Sequence, residues 1–341
     1  MSADTAFITG LPKAELHMHL EGSVAPALAR KLAAKHGVDI SDLHTGDDTY
    51  IWEGFAGFIV SYDRISQVVV TQEDYFDITR DYYVRAAGEG LIYGEAFVSP
   101  SHAARKGVSY EALIEAVDAG MEAAERETGV IARIVVTCVR HLGPERAERV
   151  ARHTERHPHR RVTGFGMGGD ENFGRPADFA RAYAIAGGAG LGLTAHAGEL
   201  AGPESVRAAI RDLSISRVGH GVRAGEDPDV LAELKDRGIT MELCPSSNLA
   251  LGLFPSVASH PVVRYARAEL KATISTDDPP YFRANIGSEY AKVAEAHQLE
   301  ANELLAFTRR SVEAAFCEEE VKRALLERIA AQAVATSAAS R

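Results

Sequence analysis

The chain has 341 residues, 46% of them hydrophobic and 25% charged, which is ordinary globular composition with ample material for a large core. Its net charge of −11 argues against nucleic acid as a partner, and no apolar stretch approaches the ~20 residues that span a bilayer. Three scattered cysteines imply no disulfide framework, and Met1–Gly10 shows no basic region leading into an apolar run. These features lead us to expect a soluble, cytoplasmic protein. Separately, we expect a small-molecule partner and a monomer or homodimer.

Short apolar, β-rich runs recur along the chain, each followed by a segment with helical period. In order they are 14–20, 92–99, 132–139, 161–168, 191–196, 217–221, 239–244 and 272–276. Helical spacing is clearest over 73–87, 110–127, 178–186, 205–213, 300–316 and 318–331, with a fraying Ala/Ser-rich tail from 332 to 341. Eight strand–helix repeats predict a parallel sheet closed into a single (β/α)8 barrel spanning the chain. A doubly wound sheet is the runner-up, but no Gly-x-Gly-x-x-Gly turn follows the first strand. Roughly seventy residues separate the first two strands, more than one helix needs. We therefore expect a helical capping insertion at about 40–88, carrying Trp52, Phe55, Phe58 and Tyr62.

In such a barrel the chemistry sits at the C-terminal ends of the strands. Strand 1 ends in His17-Met18-His19, whose two imidazoles share a face because side chains alternate along a strand. Strand 5 ends in His196-Ala197-Gly198-Glu199, strand 6 in Gly219-His220-Gly221, and strand 8 in Thr276-Asp277-Asp278-Pro279. Each piece alone has a plain reading: a lone histidine is more often a core residue, and Asp-Asp-Pro reads as a turn or helix cap. Their concentration at one end of the barrel points instead to a metal site. Three neutral histidines and one aspartate suit zinc, which lowers the pKa of a bound water toward ~7. A neighbouring histidine and glutamate supply proton transfer, so the residue types describe hydrolysis at an electrophilic sp2 centre. His102, His141, His153, His157, His159 and His260 keep a structural reading.

The ordered set LPKAELHMHLEGS, GMGGDE, TAHAGE, GHG, CPSSN and STDDP resembles the adenosine deaminase family of metal-dependent amidohydrolases, from about Leu11 to Phe282. The resemblance implies that His17, His19, His196 and Asp277 hold one Zn2+. It implies that His220 orients or deprotonates the attacking water, that Glu199 protonates purine N1, that Asp278 meets N7 and that Gly169 faces N3. A 6-aminopurine would become a 6-oxopurine with loss of ammonia. The other zinc nucleobase deaminases need Pro-Cys-x-x-Cys, and Cys244-Pro245-Ser246-Ser247-Asn248 lacks the second cysteine. Binuclear relatives carry a lysine at the end of strand 4, where this chain has glycines.

Position 21 bears on the substrate. Members acting on adenosine usually have Asp where this chain has Glu21, while Glu is common in relatives acting on free adenine. Against that, Gly169-Asp170-Glu171 resembles the nucleoside-acting members. On balance the sequence reading is adenosine or deoxyadenosine, with adenine or a modified adenosine as the alternative substrate and an inactive purine-binding protein as the alternative of another class.

Overall fold

The computed structural model describes residues 5–44 and 49–339. Residues 45–48 of the expected insertion, the first four residues and the last two of the tail lie outside it. Eight parallel strands run in chain order around one sheet: β1 (Lys13–His19), β2 (Leu91–Val98), β3 (Ile131–Val139), β4 (Val162–Gly168), β5 (Gly192–Ala197), β6 (Arg217–His220), β7 (Thr240–Leu243) and β8 (Lys271–Ile274). Each lies within two residues of its expected place. The circle closes just beyond β8. His19 N–H donates to Asp277 O and Asp277 N–H to His17 O, both at 3.0 Å, which forms a parallel bridge between Met18 and Asp277. The (β/α)8 barrel is thus sealed through backbone that also carries site residues.

The helices start and stop where local chemistry dictates. Ser109 caps the helix Tyr110–Thr128 through Ala112 N–H, and Gly129 ends it with φ 76°, a left-handed conformation that costs glycine little. Pro203 occupies the first turn of Pro203–Leu213, where its missing N–H has no partner to lose. The run expected at 178–186 divides into a 3-10 turn, Pro176–Phe179, and a helix, Ala180–Gly188.

Before β2 the chain forms helices Pro26–His36, Gly54–Ile65 and Gln72–Gly88. Gly54–Ile65 crosses the mouth of the barrel, tied down by Trp52 Nε1–H donating to Tyr281 O at 3.1 Å and by packing of Phe58 on Tyr281 and Phe282. Gln72–Gly88 instead lies along the outer wall against β2 and Tyr110–Thr128, so that only part of the insertion covers the site. At the opposite end of the barrel, Lys13 Nζ donates to the carbonyls of Ile8, Thr9, Leu11 and Glu89 at 2.8–2.9 Å. Burial lowers its pKa to about 8 even beside Glu89. Among the described residues no helix is long and apolar enough to cross a membrane.

Candidate metal centre and active site

Three imidazoles and a carboxylate converge at the C-terminal end of the barrel. His17 Nε2 lies 3.0 Å from His196 Nε2, and His19 Nε2 lies 3.2 Å from the same atom. Asp277 Oδ1 is 3.5 Å from His17 Nε2 and 3.3 Å from His19 Nε2. Ligands at zinc's ordinary bond lengths stand about 3.3 Å apart in a tetrahedron, so the spacing fits such an ion. The chemistry of the donors fits as well. His17 Nδ1–H donates to Glu242 Oε2 at 2.8 Å, leaving a lone pair on Nε2, and three converging ring nitrogens are better reconciled by a cation than by one shared proton.

The charges around this point are arranged to match. Burial works against a charged His17, but hydrogen bonds to Asp277 and Glu242 lift its pKa to about 9, so a proton competes for the position a metal would take. Burial and the neighbouring imidazoles push His196 well below the ordinary histidine range, which keeps it a neutral ligand. Burial would raise Asp277, yet hydrogen bonds from His17 and His19 hold it well below the usual carboxylate range. Ser247 Oγ donates to its second oxygen at 2.7 Å. Asp277 and His220 both carry positive φ, 65° and 57°, a conformation that non-glycine residues keep only when their surroundings impose it.

The residues expected to act on substrate surround the cluster. His220 Nε2 lies 3.6 Å from Glu199 Oε1 and 3.8 Å from Asp277 Oδ2. Burial, reinforced by Asp277 and Glu171, pushes the Glu199 pKa well up and favours its protonated form. Burial next to Asp277 and Glu199 does the same for Asp278, whose Oδ1 has no hydrogen-bond partner. A Cβ at Gly22 would lie 1.6 Å from that oxygen, so glycine is what lets Asp278 reach its place. Burial takes His220 down to about 3. One cavity is lined by His19, Glu21, Gly169, His196, Glu199, His220, Asp277 and Asp278 and roofed by Phe55, Phe58 and Tyr62. His17 lies beneath it.

Several contributors were not recognised in the sequence. Glu242, mid-strand in β7, orients His17 and is held by Arg217 Nε at 2.6 Å and Thr194 Oγ1 at 3.0 Å; Arg217 also reaches Glu95 at 2.6 Å. Glu171 clamps the loop that carries Glu199. It accepts from the N–H groups of Gly198, Glu199, Leu200 and Ala201 and from Ser205 Oγ at 2.6 Å. The Gly-Asp-Glu run therefore builds the scaffold, and its glutamate is occupied there, which removes it as an argument for a nucleoside. His102 and His141, read as structural, line the cavity. His153 and His157 stand on the surface near Glu111, and His159 faces Asp118 at 3.5 Å. At the end of β4 a Cβ on Gly168 would sit 3.3 Å from His19 Cε1, so the ring packs against the position where binuclear relatives carry a lysine.

A closed (β/α)8 barrel with a His-His-His-Asp cluster at its strand ends defines a metal-dependent hydrolase of the amidohydrolase type. The adenosine deaminase family model matches residues 12–332, and the chain belongs to that family. It is 46% identical over 319 residues to an adenine deaminase of Rhizobium leguminosarum bv. trifolii, covering 94% of this chain and 99% of that one. The crystal structure of adenine deaminase from Arthrobacter aurescens superposes with a TM-score of 0.88 at 27% identity, over 95% of this chain and 99% of that one. A Burkholderia ambifaria amidohydrolase with bound zinc gives 0.88 at 25% identity, over 99% and 96%. The protein is a hydrolytic deaminase.

Proposed function

We propose that this protein is a zinc-dependent adenine deaminase that converts adenine and water to hypoxanthine and ammonia. The free base is preferred here over the nucleoside expected from sequence. The chain's similarity to adenine deaminases supports it, and so does Glu21. That side chain is 2% exposed, accepts from Ser99 N–H at 3.3 Å and lines the cavity, where burial raises its pKa to about 7. A carboxyl so placed suits the ring N–H of a free base, which a nucleoside lacks because its sugar is attached there.

His17, His19, His196 and Asp277 would hold one zinc per chain, and the ion would supply Lewis acidity and ease deprotonation of water. The observation that carries the reading is the buried carboxyl of Glu199 beside that cluster, whose raised pKa favours its protonated form. It can give its proton to N1, which makes C6 electrophilic. Asp278, also protonated, offers its O–H to N7, and Gly169 turns its backbone toward N3. Water adds at C6, the C6–N bond breaks, and the amino group leaves as ammonia with a proton from the site.

The test is spectrophotometric turnover of adenine, adenosine and deoxyadenosine by zinc-loaded protein. We expect adenine to be the best substrate and Glu199→Gln to lower its kcat by at least about 100-fold, within the range for a lost general acid, with zinc content unchanged. Faster turnover of adenosine would replace the base with the nucleoside as substrate. Near-full activity of Glu199→Gln would remove that residue as the acid.

A further inference from the structure

Behind His220 lies a chain of buried hydrogen bonds whose direction can be deduced. Val262 N–H donates to His260 Nδ1 at 3.3 Å, so that nitrogen bears a lone pair. Burial takes the His260 pKa to about 3, hence the ring is neutral and its proton is on Nε2. His260 Nε2–H must then donate to Asn248 Oδ1, 3.1 Å away. The Asn248 amide is thereby oriented with its Nδ2–H toward His220 Nδ1 at 3.3 Å, which must accept. Flipping the amide would ask His260 Nε2 to accept as well as Nδ1, and a neutral imidazole has only one acceptor nitrogen. All three side chains are at most 2% exposed, so no bulk water can substitute.

We propose that Asn248 and His260 are positioning residues that lock His220 in its Nε2–H tautomer, so that His220 holds the attacking water by donating a hydrogen bond and does not take its proton. The inference rests on the reading of His220 as part of the reaction centre. It selects orientation over deprotonation for that residue. The groups facing His220 Nε2 are the carboxyl groups of Glu199, Oε1 at 3.6 Å, and Asp277, Oδ2 at 3.8 Å; with Asp277 taken up as a ligand, removal of the water's proton falls to Glu199. Glu199, having given its proton to N1, is then able to take one back. His260, 40 positions from His220 in sequence and out of the cavity, thereby acts on the reaction through Asn248 alone.

The deciding measurement is a long-range 1H–15N spectrum of zinc-loaded protein labelled at histidine, with signals assigned by single substitutions. In the native enzyme His220 should show a protonated Nε2 and an unprotonated Nδ1. Asn248→Asp presents two acceptor oxygens and should move the His220 proton to Nδ1. With it kcat on adenine should fall about 100-fold, the scale of a lost preorganised donor, while KM and zinc content hold. His260→Leu removes the group that sets the direction and should give mixed His220 tautomers with lowered kcat. His260→Gln, which keeps a donor near the same place, should restore both. A proton on Nδ1 in the native enzyme would overturn the proposal, as would an unmoved His220 pattern in Asn248→Asp. If Asn248→Asp does not fold, the native spectrum and the His260 pair decide. Absence of turnover on adenine would count against the substrate reading alone, because the tautomer is read without turnover.

Discussion

A buried carboxylate in a short apolar strand is costly unless something uses it, and Glu242 is used three times over. It accepts from His17 and from Thr194 and is ion-paired with the guanidinium of Arg217, so its own pKa stays low despite complete burial. Replacing Glu242 by Gln keeps the shape but weakens the grip on His17 Nδ1–H. We expect zinc affinity to fall about 10–100-fold, measured by competition with a chromophoric chelator. The metal-ligand candidates were legible in the sequence because their types are distinctive and each lies at or just beyond the C-terminal end of a strand. Glu242 was not, since nothing in Ile239–Cys244 shows that its partners are a histidine and an arginine on other strands. Glu171 differs: it lies two positions beyond Gly169, which lines the cavity, yet its own oxygens are taken up by the β5 loop.

Secondary-structure elements carry their own chemistry at their ends. The helix Gln72–Gly88 opens with a capping box in which Asp74 N–H donates to Thr71 Oγ1 and Thr71 N–H donates back to Asp74 Oδ2. Asp74 also accepts from Val70 N–H and pairs with Lys35 and His36 of the helix Pro26–His36, so one carboxylate joins two elements. Burial opposes the charge, but these donors lower its pKa to about 2. Asp74→Ala should cost about 1–2 kcal/mol in urea unfolding at neutral pH. Because the folded pKa lies below the unfolded value, the contribution is complete above about pH 4. It is lost as pH falls toward 2, where variant and native stabilities should converge. The strands were readable from their composition because central parallel strands are apolar on both faces. The insertion was readable as helical and aromatic, but which helix roofs the site depends on packing against Tyr281 and Phe282, more than 200 residues on.

At the scale of the whole molecule, the barrel and the metal cluster share a seam. His17 and His19 end the first strand, His196 ends the fifth, and Asp277 follows the eighth while bridging back to Met18. A bound cation would therefore tie together both ends of the circle. Stripping the metal with a chelator should lower Tm by roughly 6 °C, as expected for a ligand present at about a thousand times its Kd, and added zinc should restore it. A scan showing no change would mean that the seam closes without help from the ion.

That seam also sets an order of events in the life of the chain. Two of the cluster's side chains, at positions 17 and 19, precede every later strand, but the carboxylate that completes the set comes at position 277, after all eight strands. A growing polypeptide can offer an early pair of imidazoles, then a third on β5, but not the carboxylate. The full set comes together only when the last strand has docked beside the first, so a metal held by these four side chains would be loaded after the barrel is made.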